Sequence, residues 1–186
     1  MVPESVHQKL RFARLRLADL EALIAENRLA SDLDARHQLT QEFFFHVVGA
    51  TEYLAQLVNE RRSLQLRSED VAVHRVAEEL EKRNPSDLLL GPLKGLAANT
   101  RKTVLPADPY SEEGLIYRTI NYRNEVVHRN ANPFHFELHA GPKIAFFWLD
   151  PRIPDCGQST RPVDEDLLGM FAVVDQRCRL VLEILR

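Results

Sequence analysis

Three residue types that can work together on a charged substrate lie close to one another in TINYRNEVVHRNANPF, residues 119–134. Arg123 is followed directly by Asn124, and His128 comes five positions after the arginine. Histidine titrates near neutral pH and can move a proton in either direction. A guanidinium can neutralise charge building on a reacting oxygen, and an amide can hold either partner in place. A helical wheel at about 100° per residue sets Tyr117, Asn121, Asn124 and His128 within roughly 60° of one another as a polar stripe. Leu115, Ile116, Ile120, Tyr122, Val126 and Val127 fill the opposite arc, and Arg123 falls in its middle. An unpaired buried charge costs several kcal/mol, so Arg123 must meet either a carboxylate inside the fold or an anion in a cleft. In the first case Asn124 and His128 serve only to cap the end of the helix. On an ideal helix Arg123 and His128 diverge by roughly 140°. They converge only if the stop at Asn130 to Pro133 loosens the last turn, or if two copies of the helix share one cleft.

Other constellations compete with this one. Glu125 and His128 form Glu-x-x-His, and Glu42 with His46 stands at i, i+4 on another segment, so a carboxylate and histidine metal site between two helices can be drawn. His135, Glu137 and His139 alternate onto one face of a strand, where they either share an ion or form an ordinary solvated face. Lys9, Arg11, Arg14 and Arg16 make a basic run that reads as an RNA-binding surface or as a solvated helix face. Cys156 and Cys178 lack the CxxC spacing of a zinc site, and neither has a helix N-terminus or basic neighbours that clearly lower its thiol pKa.

The elements that must position these residues are mostly helices. Leu10, Ala13, Leu17, Leu20 and Ile24 mark one apolar face across 5–28, and Phe43, Val47, Ala50, Leu54 and Leu57 mark a longer one across about 38–64. Ser68 before Glu69 and Asp70 reads as the cap of a shorter helix that ends near Asn84. Pro85, Pro92, Pro106 and Pro109 break up 85–111, after which Ser111-Glu112-Glu113 opens the helix that carries Arg123. The alternation from Phe134 to Leu149 predicts a β-hairpin over about 134–149, followed by a loop to Pro162 and a last helix with Leu167, Phe171, Val174, Cys178, Val181 and Leu185 on one seam. The expected fold is all-α: one domain spanning 1–186, a four- or five-helix bundle with a hairpin inserted before the last helix. With 45% hydrophobic and 27% charged residues the chain has the composition of a globular protein, and its net charge of −3 offers polyanions no attraction beyond a local patch. No window approaches the roughly 18 apolar residues of a membrane span and the first residues lack an apolar leader, so a cytoplasmic protein without membrane contact is expected.

Arg123-Asn124-Glu125-Val126-Val127-His128 resembles the R-x4-6-H signature of the HEPN superfamily, including the polar residue directly after the arginine. The resemblance implies a helical bundle whose members are often metal-independent endoribonucleases and toxins, dimerised so that two motifs line one cleft. It implies catalytic roles for Arg123, Asn124 and His128, with Tyr117, Asn121 and Arg129 contacting an RNA or nucleotide substrate. It further implies a homodimer, an antitoxin protein as a possible partner, and no cofactor or metal. The alternatives are a HEPN-like scaffold that binds RNA or a nucleotide without cutting it, and the carboxylate and histidine metal-binding bundle.

Overall fold

The computed structural model describes residues 3–26, 28, 29, 31–97, 106–128, 135–139, 145–149 and 158–186, with side chains of 125–128, 135–139, 145–149 and 158–160 outside that description. Among the described residues six α-helices form a helical bundle. Helix α1 (Pro3–Ala25) buries Val6, Leu10, Ala13, Leu17 and Leu20, spaced by threes and fours, and α2 (Leu33–Arg61) buries Phe43, Val47, Ala50, Leu54 and Leu57 in the same rhythm. The two run antiparallel, because Arg16 meets Glu42 while Phe12 meets His46 and Lys9 lies on Gly49. Asp32 caps α2 by accepting a hydrogen bond from the Ala35 N–H at 3.2 Å, which satisfies one of the donors left over at a helix start. Helix α2 also buries Phe44, Ala55 and Val58, so apolar contact surrounds most of its circumference. That makes it the central helix, touching α1, α3, α5 and α6.

Ser68 does not cap the next α-helix. It opens a 3-10 turn, Ser68–Asp70, the backbone then runs extended through Val71 and Ala72, and α3 (Val73–Arg83) begins without a side-chain cap. The chain before it turns through left-handed φ at Ser63 (49°) and Gln65 (63°), a conformation that non-glycine residues avoid. Asn59 holds this turn by exchanging two hydrogen bonds with the Leu66 backbone, and Arg83 donates to the Ser63 and Leu64 carbonyls. Helix α4 (Leu90–Leu96) contains Pro92, which reads as a breaker. It falls in the first turn, where a missing N–H removes no hydrogen bond. Helix α5 (Glu112–His128) starts as its sequence predicts, with the Ser111 hydroxyl accepting from the Gly114 N–H at 3.1 Å. Helix α6 (Val163–Ile184) buries Leu167, Val174, Cys178 and Val181, while Phe171 and Leu185 pack half-buried against the same core.

Between α5 and α6 the described backbone contains strands β1 (His135–His139), β2 (Ala145–Leu149) and β3 (Gln158–Pro162), paired antiparallel in that order. The connections 140–144 and 150–157 lie outside the described residues. Strand β3 occupies what the sequence presents as loop, because its polar residues show no alternation. Its pairing with β2 shifts register, and Pro162 is tolerated at an edge.

One buried ion pair joins α5 to α6. Arg118 is 1% exposed and Asp166 is 0% exposed. Arg118 Nη1 donates to Asp166 Oδ1 at 2.9 Å and Nη2 to Oδ2, while Nε and Nη2 both donate to the Tyr122 hydroxyl at 3.2 Å. Tyr110 lays its ring 5.2 Å from the guanidinium carbon, and the Pro109 carbonyl accepts a further hydrogen bond at 3.4 Å. Burial alone would lower the guanidinium pKa, but the Tyr122 hydroxyl and the Asp166 carboxylate raise it above its ordinary value. Gly114 allows the loop that carries Pro109 and Tyr110 to close over the pair, since a Cβ there would stand 2.5 Å from the Asp108 carbonyl oxygen. Replacing Asp166 with Ala should strand a buried cation and cost about 3–5 kcal/mol, whereas Arg118→Met with Asp166→Leu should cost much less. Gly114→Ala should cost about 1–3 kcal/mol through overpacking. Urea midpoints of the variants measure all three.

Candidate functional site

Among the described side chains of α5, Leu115, Ile116, Arg118, Thr119 and Tyr122 are buried. The enclosed arginine is therefore Arg118, at one edge of that buried arc, and Arg123 is half-buried near the other edge. Ile120, assigned by its apolar character to the inner arc, is half-buried. Arg123 reaches across to α2, where its Nη2 donates to Glu52 Oε1 at 3.1 Å, and its Nη1 donates to Asn124 Oδ1 at 3.3 Å. The Arg123 side chain keeps 22% of its surface in solvent and Glu52 keeps 53%. An ion pair of such exposure is worth about 0–1 kcal/mol, so another anion can replace the carboxylate at little cost. Arg123 and Asn124 are thus brought together. His128 is the last residue of α5, and its side chain lies outside the described residues, as do Glu125 and Arg129.

Tyr117 faces a different part of the molecule. With Ile116, Glu113, Lys94, Gly95 and Arg177 it lines a cleft of about 420 Å³ among α4, α5 and α6. The Arg177 guanidinium lies on the bare backbone of Gly95 and pairs with Glu112, and Lys94 pairs with Glu81 at 2.7 Å. Six residues along a helix turn Tyr117 about 120° away from Arg123, so the two do not meet. Asn121 lies half-buried between them in sequence.

Glu42 and His46 have other commitments than a metal. Glu42 accepts from Gln38 at 2.8 Å and from Arg16 at 3.1 Å. The Gln38 amide first, and then Arg16, hold its carboxyl below the ordinary range. Among the described residues no group of three or more His, Cys, Asp and Glu side chains is placed to hold a metal ion. The side chains of His135, Glu137 and His139 lie outside that description. Of the basic run, Arg14 pairs with Glu21 at 3.5 Å and Arg16 with Asp19 at 3.2 Å as well as Glu42, while Arg11 points outward. Cys178 is sealed in the core, where burial pushes its thiol pKa up and leaves it unreactive.

A surface that motif reading overlooks lies next to Arg123. Lys9 sits over the Phe45 ring at 4.1 Å, and His46 is held between Phe45 and Phe12 at ring distances of 5.3 and 5.2 Å. The signal available in the sequence was a glycine, Gly49, in the middle of a long helix, where it costs about 1 kcal/mol relative to alanine. His46 Nδ1 is buried without a hydrogen-bond partner. Burial, then the neighbouring charge of Lys9, lowers its pKa below 6.5. The folded protein therefore takes up this proton later than the unfolded chain as pH falls. Stability from His46 is complete above about pH 6.5 and is lost below it, down through the folded value. His46→Phe should flatten that part of the stability profile, read as urea midpoints between about pH 7 and pH 5.

Compared with protein-family models, with curated proteins and with solved structures, the chain matches none of them.

Proposed function

We propose that this protein is a metal-independent endoribonuclease resembling the HEPN superfamily, with Arg123, Asn124 and His128 as its catalytic group. The observation that supports the reading is the division between two arginines of α5. Arg118 takes the sealed structural role, and Arg123 stays at the solvent boundary, holding an exposed and replaceable carboxylate. A guanidinium so held can exchange Glu52 for a phosphate. His128 then takes the proton from the ribose 2′-hydroxyl, whose oxygen attacks the adjacent phosphorus. The bond from phosphorus to the 5′-oxygen breaks, and that oxygen leaves with a proton returned by an imidazolium. Arg123 stabilises the charge gathering on the phosphoryl oxygens, and Asn124 orients the guanidinium through the bond they share. The products are a 2′,3′-cyclic phosphate and a 5′-hydroxyl.

In this reading β1 and β2 form a hairpin inserted before α6, and two copies of the chain pair so that their α5 ends form one cleft. Tyr117, Asn121 and Arg129 extend the substrate contacts, and a protein antitoxin restrains the activity in the cytoplasm. No helix among the described residues is long and apolar enough to cross a membrane.

Purified protein should cut single-stranded RNA in the presence of EDTA, and Arg123→Ala and His128→Ala should each lower the rate by roughly 10²–10⁴-fold. A 2′-deoxyribose at the scissile position should stop cleavage altogether, as read on a sequencing gel. Activity that needs a divalent metal, or that persists in His128→Ala, would exclude the mechanism. Binding without cutting by wild-type protein would favour a scaffold function.

A further inference from the structure

A continuous strip of surface runs from Arg123 across α2 to α1. Glu52, which accepts the hydrogen bond from Arg123, also acts on the charge of Lys9. The stem of Lys9 lies along α2 at Gly49, where an added Cβ would stand 3.4 Å from its Cδ and Cε. That glycine opens the slot in which the ammonium sits, 4.1 Å from the Phe45 ring centre and 5.8 Å from that of Tyr53. Phe12 follows on the far side of His46, and Arg16 stands one helical turn beyond Phe12 on α1. The three rings are well exposed, Phe12 at 39%, Phe45 at 49% and Tyr53 at 36%.

Contiguous aromatic rings left in water mark a binding surface rather than random exposure. The chemistry of the strip says which kind. The core of a protein interface is depleted of charge, but here a cation, Lys9, stands over two of the rings, with Arg123 paired to Glu52 at one end and Arg16 paired to Asp19 and Glu42 at the other. Rings for bases interleaved with cations for phosphates are what a single-stranded nucleic acid requires. Glu52 stands beside Arg123 as an anion of the protein's own, half in solvent and weakly held.

We propose that this α1–α2 face binds single-stranded RNA, with bases stacked on Phe45, Tyr53 and Phe12 and one phosphate displacing Glu52 from Arg123. The inference rests on RNA being the substrate and adds the path by which the strand reaches Arg123. Glu52 is then a competitor that the substrate must displace, and its removal strengthens binding.

The test is fluorescence anisotropy with a labelled single-stranded oligoribonucleotide of about ten nucleotides, in EDTA and in the His128→Ala background so that the probe stays intact. Phe45→Ala combined with Tyr53→Ala should weaken binding by about tenfold or more. Lys9→Gln should reduce the salt dependence by roughly one ion. Glu52→Gln, a change at an exposed position that leaves the core untouched, should tighten binding severalfold. It serves as the independent readout if the aromatic variant fails to fold. Equal affinity for duplex RNA, or affinity indifferent to both the aromatic and the Glu52 changes, overturns the proposal. So does loss of self-association in the aromatic variant with RNA binding intact, measured by sedimentation, which would make the face a contact with a second copy. Wild-type cleavage assayed in parallel separates the two ideas. Cutting that persists while these variants bind normally removes only the platform, and platform-dependent binding by a protein that cuts nothing removes only the nuclease. A wild-type protein that binds no RNA removes both.

Discussion

The pairing of Arg118 with Asp166 sets the geometry on which the rest of the candidate site depends. It is bidentate, fully enclosed and shared with the Tyr122 hydroxyl, so it resists rotation of α5 about its own axis and sliding of α5 along α6. Desolvating two charges carries a large penalty, and such a pair stabilises a fold little compared with apolar residues of the same volume. What it supplies is register. Phe44 of α2 meets the Tyr122 ring edge-on at 5.6 Å, so the same tyrosine that satisfies the arginine also docks α5 on the central helix. Once that rotation is set, the next turn of α5 must present Arg123 at the border between core and solvent, opposite Glu52.

The legible parts of the fold were those governed by periodicity. The seams of α1, α2 and α6 follow spacings of three and four, and burial agrees with them almost residue by residue. The start of α5 was legible as well, because Ser111 with two following acids obeys a local rule. Arg118 was not legible, because a hydrophobic wheel counts an arginine as polar wherever it falls. Its partner lies 48 residues away in the first turn of α6, where an aspartate among Asp164 and Glu165 looks like a favourable charge at a helix start. Assigning the inner arc by apolar residues alone therefore centred it on Arg123, which is half-buried, and left out Arg118, which is enclosed.

Backbone features set by distant clamps were similarly hidden. Nothing in Ser63 or Gln65 announces a left-handed turn, which exists because Asn59 and Arg83 hold the carbonyls and amides around it. The α1–α2 strip was hidden for another reason. Phe43, Phe44 and Phe45 read as one apolar run, yet the first two are buried and the third faces water, where it supports Lys9. A run of identical residues conceals which of them the helix turns outward, and only the position of Gly49 beside a lysine on the neighbouring helix distinguishes it.

Two arginines on one helix, five positions apart, thus answer to different surroundings. Counterions reach the Arg123 and Glu52 pair, since both side chains are in contact with solvent, and screening there is effective at physiological ionic strength. They do not reach Arg118 and Asp166, which have no surface to offer them. Salt therefore loosens the outer attachment of α5 and leaves the inner one intact. The helix can change what it holds in response to its ionic environment without any change in where it stands.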